Sequence, residues 1–306
     1  MTDHRVAERR AVDLRAVDPG AGERPRLALA LVPGQVRYEL LLLVRSPLPA
    51  FITLVVPVML LVALDLVTPE MTLRSLGNLP VAQFLTPAMA SFAVLNAGFV
   101  DTVIGATLAR EKGVLKQLRA TPLPGWAYLA GRLGATVVVG TCSVTVVVVV
   151  GLGTLHARLS PGSLGPFVAS AAAGLVASFA LGVAVSSLIG SAESALPISY
   201  GLLLPVAFIS GVFFPAPSEA SWLRSLARAL PAEPLARGLE TAFTRGPVNG
   251  LTGHQLLVLA LWGLGAALVA GRRFRWQPVS ARRERGGGPW RARRLGPSPR
   301  DDRGGR

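Results

Sequence analysis

The residues able to do chemistry are few, and the most telling lie where a charge is costly. Asp101 sits inside an apolar run from 84 to 109, with Asn96 and Thr102 beside it, and Asp65 lies near the end of an earlier run. A carboxylate in such a run fits one of two roles. It is a polar or proton-carrying position in a transport cavity, or it makes a hydrogen bond that packs helices or reaches water at a thinned leaflet. Counting eight residues to the end of the run puts Asp101 about 12 Å deep at 1.5 Å per residue. Asp65 reads as interfacial. Catalytic constellations do not occur. The sequence has no G-x-x-x-x-G-K-[ST] loop, and neither of its two lysines stands in one, so ATP hydrolysis is not expected on this chain. It has no H-E-x-x-H and no G-x-S-x-G, and His4, His156 and His254 are scattered among separate segments. Cys142 is the single cysteine, which excludes an internal disulfide and a cysteine metal site. No catalytic residue, metal ligand or resident cofactor is assigned.

A second group of polar residues follows Asp101 directly. Arg110, Glu111, Lys112, Gly113, Leu115, Lys116, Leu118 and Arg119 precede Thr121, Pro122 and Pro124. Leu115 and Leu118 lie three apart with charges on the other faces, the pattern of a short amphipathic helix. The prolines end it, and Gly113 lets the chain turn sharply where an apolar helix gives way to it.

These residues need long apolar elements to hold them. Six runs, at 49–67, 84–109, 126–152, 165–190, 195–214 and 251–270, each approach or exceed the roughly 20 residues that cross a hydrocarbon layer of about 30 Å. Hydrophobic residues make up 51% of the 306, charged residues 16%, and mean hydropathy is +0.50. A soluble globule of this length has too few polar residues to cover six such runs. The net charge of +14 would suggest nucleic acid in a soluble chain. Here 25 of the 31 Lys and Arg fall on one side of the runs and six on the other, so the positive-inside rule puts both termini in the cytoplasm. An even number of crossings requires the same. No cleavable signal peptide is visible, and the first crossing is expected to direct insertion. Arginine outnumbers lysine 29 to two, a bias that reads as a GC-rich genome.

The remaining segments flank the runs. Residues 1–32 and 272–306 are charged arms, the second rich in Arg, Gly and Pro, and are expected to be disordered and to attract anionic lipid. The body is 33–271. Between Pro33 and Pro47 a short helix carries Arg37, Glu39 and Arg45 beside Leu40, Leu41 and Leu43, which suits the membrane surface. The link at 191–194 is so short that runs four and five are expected to be antiparallel neighbours. Gly174, Gly182, Ala171 and Ala180 give run four a face for close packing. In 215–250, Ser218 reads as the N-cap of a helix from Glu219 to Leu230, with Trp222, Leu223 and Leu226 on one side. Leu235, Leu239 and Phe243 mark a second helix after Pro231. Both are expected to lie in or dip into the outer leaflet. The fold class is therefore an all-α membrane protein with six transmembrane helices. An N-terminal interfacial amphipathic helix and short re-entrant-type helices between helices five and six complete it.

The stretch from Arg110 to Leu123 resembles the signature after the second transmembrane helix of type-2 ABC exporter permeases: an acidic/basic pair, Gly, a Leu, Leu-Arg, a small residue, then Thr-Pro-Leu. Leu196 through Leu204-Pro205 to Ser210-Gly211-Val212-Phe213-Phe214-Pro215 looks like the fifth helix of that family, and Leu230-Pro231, Pro234 and Leu235 like the next segment. The likeness covers about 33–275 and is strongest to daunorubicin-resistance-like drug-export subunits. It implies a separate cytoplasmic ATPase that binds ATP and Mg, and a second permease copy, usually identical. The ATPase would meet Arg110, Glu111, Lys112, Gly113, Leu115, Lys116, Leu118, Arg119 and Pro122, and the interfacial helix with Arg37, Glu39 and Arg45. Asn96 and Asp101 would face the cavity. Ser210, Gly211, Phe213, Phe214 and Pro215 would belong to an outer gate. The implied setting is a bacterial plasma membrane, with lipids and no nucleic acid as partners. Three other readings stay open: export of a lipid-linked or polysaccharide substrate, proton-coupled transport through Asp101, and a membrane sensor or immunity protein that transports nothing. Aromatics are only 6% of the chain, which disfavours a polysaccharide channel.

Overall fold

Prolines, glycines and short polar links cut the chain into helices near the expected places. The computed structural model describes residues 24–45, 47–68, 72–73, 79–114, 125–160, 162–213, 221–243 and 252–273. The arm up to residue 23 and the tail from 274 lie outside the described residues. In chain order the elements are α1 (Arg24–Arg45), α2 (Pro47–Val67), β1 (Thr72–Leu73), β2 (Leu79–Pro80), α3 (Val81–Leu95), a π-helix (Asn96–Val100) and α4 (Asp101–Glu111). Then come α5 (Gly125–Gly153), α6 (Leu164–Ser186), α7 (Ala192–Ile209), α8 (Ser221–Ala229), α9 (Ala232–Glu240) and α10 (Gly253–Arg273). The strands form one antiparallel pair, Thr72 opposite Pro80 and Leu73 opposite Leu79.

Five helices among the described residues are long and apolar enough to cross a membrane: Gln83–Glu111, Gly125–Gly153, Leu164–Ser186, Ala192–Ile209 and Gly253–Arg272. The first of them runs unbroken through α3, the π-helix and α4. That is one fewer than the six runs. Among the described residues the apolar stretch of α2, Phe51–Val67, is shorter than these five.

Gln83–Glu111 is the hub. Its apolar window is 72% buried, against 22% for α7 and for α10. Around it, α3 packs on α2, α5 and α9; the π-helix packs on α6; and α4 packs on α6 and α7. α10 lies along α6, and α1 along the start of α5. The outer helices turn Leu202, Phe208, Leu257, Leu261, Leu264 and Leu268 away from the bundle. Contiguous apolar surface of this extent would be a liability in water and is the ordinary face of a helix in lipid or against another membrane chain.

Small residues allow the hub to approach α6. A Cβ on Gly98 would lie 2.6 Å from Ser178 Cβ, and one on Gly182 would lie 2.9 Å from the backbone oxygen of Phe99 and 2.8 Å from Thr102 Cβ. A Cβ on Gly174 would lie 2.5 Å from Leu235 Cδ1, so the two glycines of the expected small-residue face receive two different partners. Backbone cannot yield as a side-chain tip can. Gly182→Ala is therefore expected to destabilise the protein by about 1–3 kcal/mol through overpacking. A lowered midpoint in thermal unfolding followed by size-exclusion fluorescence is the readout; an unchanged midpoint would show that α6 can shift.

Three expectations are corrected. α1 starts at Arg24, so it reaches into the arm expected to be disordered; it keeps Pro33 inside, and Leu27 to Leu31 are good helix formers before that break. α6 and α7 share little packing, because the end of α4 comes between them and packs on both. The helices of 215–250 also differ from each other. α8 leaves Trp222 69% exposed, and Ser218 lies outside the described residues. α9 is inside: Leu235 and Leu239 are fully buried, packed between α3 and α6.

Candidate functional site

The costly charges of the hub are met by other helices. Thr53 Oγ1, from α2, donates to Asp101 Oδ2 at 2.6 Å, and Ser143 Oγ, from α5, donates to the Thr53 carbonyl at 2.8 Å. Arg132, also on α5, donates from Nη2 to the Asp101 carbonyl and from Nη1 to Glu39 Oε2 on α1, each at 3.3 Å. The Arg132–Glu39 ion pair is nearly buried, with side-chain exposures of 11% and 13%. Four helical elements thus share one polar seam. Glycines make room for it. A Cβ on Gly105 would stand 1.8 Å from Arg132 Nη2, and α1 lays Gln35 on Gly131 and Val36 on Gly134. Desolvated charges hold only when their partners are in place. Here Glu39 and Arg132 pair directly, Asp101 lends Arg132 its backbone carbonyl, and the Asp101 carboxylate takes the Thr53 hydroxyl.

One turn away, Tyr200 of α7 donates its hydroxyl to Asn96 Oδ1 at 3.0 Å. Asn96 is fully buried, opens the π-helix, and its Nδ2 has no partner among the described residues. A π turn inside an α-helix is rare and leaves backbone groups out of register.

The elbow begins where α4 ends. Lys112 N–H donates to Leu108 O at 2.9 Å and Gly113 N–H to Arg110 O at 3.2 Å, and Gly113 takes φ 71°, a left-handed cap that glycine adopts freely. Glu111 and Lys112 are exposed. Arg110 is not; it is 6% exposed and its guanidinium is taken up by the carbonyls of Ser186 and Ile189. Leu115, Lys116, Leu118, Arg119 and Pro122 lie outside the described residues.

At the opposite end, Gln83 ties three segments together. Its Nε2 donates to the carbonyls of Arg158 at 2.8 Å and Phe243 at 2.7 Å, and its Oε1 accepts from Arg158 N–H at 3.1 Å. Phe213 is buried against Phe92 and Phe208, with ring centroids 5.4 and 4.8 Å apart, just after Gly211 at φ 76°. Ser210 is buried beside them, while Phe214 and Pro215 lie outside the described residues. Burial raises the Glu240 carboxyl above its ordinary range, with Arg237 opposing the rise and Glu233 adding to it.

Of the sequence-predicted residues, the structure brings Glu39 and Asp101 into one seam and sets Asn96 a turn above it. Arg37 and Arg45 are exposed on α1. Arg110 is separated from Glu111 and Lys112, facing inward where they face out. Arg132, Thr53, Ser143, Tyr200 and Gln83 went unassigned. For Arg132 a signal existed: an arginine seven residues into an apolar run, between Gly131 and Gly134, needs a carboxylate from another helix.

Crossing helices, a buried charged seam and a polar elbow define a polytopic helical membrane protein. The model of the ABC-2 type transporter family matches residues 36–243, from α1 to the end of the α9 segment. The chain belongs to the ABC-2 type transporter family, as a multi-pass permease subunit of an ABC transporter. Permeases of this family typically work with an ATPase subunit. A comparison with curated proteins returns no match.

Proposed function

We propose that this chain is the membrane half of an ATP-driven exporter of drug-like or amphipathic natural products. In this reading a separate ATPase drives it at the elbow and it works as a pair with a second copy. The family match over 36–243 carries the proposal. Two features support its details. The exposed Glu111 and Lys112, next to the hinge at Gly113, give a partner a charged handle at the end of the most buried helix. The charges of the seam are engaged within the chain, which leaves neutral and apolar surface for a substrate and favours amphiphiles over sugars. The hydrogen bond from Thr53 to the Asp101 carboxylate likewise favours a packing role over proton coupling. α2 is read as the sixth crossing, with both termini in the cytoplasm of a bacterial cell. ATP binding on the partner would shift the pair between inward- and outward-open states.

Coexpression with a phosphate-loop ABC ATPase, followed by reconstitution and anthracycline uptake into inverted vesicles, tests the reading. Uptake is expected to require ATP and both subunits. Gly113→Pro is expected to abolish most uptake while the protein still inserts, because proline cannot take φ 71° and loses the N–H given to Arg110. ATP-independent uptake, or cysteine labelling that maps residue 112 to the outside, would refute it.

A further inference from the structure

The two residues that end α4 are chemically opposite, and they grip opposite helix ends. The C-terminus of a helix presents unpaired carbonyls and partial negative charge, the N-terminus unpaired amides and partial positive charge. Arg110 donates from Nη1 to Ser186 O at 3.0 Å and from Nη2 to Ile189 O, where α6 runs out. Glu111 accepts Ala192 N–H at 2.7 Å, where α7 begins. The turn at 187–191 is thus held at both ends by neighbouring residues of a third helix. α6 and α7 scarcely pack on each other, while α4 packs along both. Arg110 is also buried only three residues before the hinge at Gly113. A charge intended for a cytoplasmic partner would sit in water. This one is committed to the chain's own carbonyls.

We propose that Arg110 and Glu111 are positioning residues. They join the end of α4, the 187–191 turn and the first turn of α7 into one mechanical body, so that displacement of the elbow moves α7 directly. Arg110 grips by two directed bonds to carbonyls it desolvates, and is the stronger half. Glu111, in solvent, contributes alignment. The proposal rests on the permease reading only for the origin of the displacement; the junction itself is a property of this chain alone.

Nitroxides on Lys112→Cys and Leu188→Cys, in a Cys142→Ser background reconstituted in lipid vesicles, report the junction by dipolar broadening. Both sites are exposed and flank it. The parent is expected to show broadening, Arg110→Lys to keep most of it, and Arg110→Gln to lose it while staying monodisperse. Rescue by lysine separates a directed grip from general loss of packing. Should Arg110→Gln not be recovered folded, Glu111→Ala, which removes only an exposed acceptor, is expected to weaken the broadening in the same pair. Unchanged broadening in the folded variant would overturn the proposal. With the ATPase added, Arg110→Gln is expected to lower transport per ATP hydrolysed and Arg110→Lys to restore it; an unchanged ratio would overturn the claim that the junction moves α7. A parent complex that never couples ATP to transport would instead count against the permease reading, and the spectra would still decide the junction.

Discussion

Replacing Arg132 by methionine is expected to destabilise the protein by about 3–5 kcal/mol, the usual effect of removing one partner from a buried charge pair. Methionine fills much of the volume but supplies no donor. Glu39 then loses its ion partner, and the Asp101 carbonyl loses its side-chain bond. The charges left behind are the cost, more than the missing attraction. Hence Glu39→Gln added to Arg132→Met should recover part of the loss, whereas additive losses would show that Arg132 acts through packing alone. Thermal unfolding of the four proteins of this cycle in one detergent measures the coupling. Because Glu39 is the contact that ties α1 to α5 across this seam, the single variant should also free α1. Faster proteolysis within 24–45 would report that; unchanged proteolysis would mean that Gln35 and Val36 on Gly131 and Gly134 hold the helix unaided.

Leu235→Ala is expected to rank next, at about 2–5 kcal/mol for a fully buried leucine. The lower part of that range is favoured, since the released surface of a membrane protein exchanges with lipid more than with water. Leu235 lies over Gly174 at the point where α9 wedges between α3 and α6. Gly174→Ala alone should also destabilise, because its Cβ would stand 2.5 Å from Leu235 Cδ1. Together the two changes should do less harm than their sum, since the new methyl enters the space the leucine leaves. A sum that is strictly additive would place the two residues out of contact.

The positions of the long apolar helices were legible along the chain to within a few residues, whereas the start of α1 was not. The runs at 84–109 and 126–152 became Gln83–Glu111 and Gly125–Gly153 because apolar length is a local property that no distant contact can alter. The exposed face of α8 was legible for the same reason: Trp222 and Leu226 stand four apart on one turn of helix. Legibility failed where an outcome depended on which helix lies beside which. α9 carries leucines at the same spacing, yet it is buried, because α3 and α6 leave a gap of its size beside Gly174. Nor does a short link at 191–194 make neighbours of α6 and α7 when α4 has a better face for both. Gly98, whose absent Cβ lets the hub meet Ser178, gave no hint of the π turn that contains it.

At the site the division is sharper. Residue types alone determined that Asp101 needs a partner, that Gly113 is a hinge, and that Glu111 and Lys112 belong in water, because desolvation cost and backbone sterics act residue by residue. Only the tertiary structure decided that the partners of Asp101 come from α2 and α5, and that Arg110 turns inward while Glu111 turns out. A guanidinium beside a carboxylate in sequence has an obvious mate. Two unsatisfied carbonyls at the end of a helix some eighty residues later compete for it, and that competition exists only once the helices are side by side.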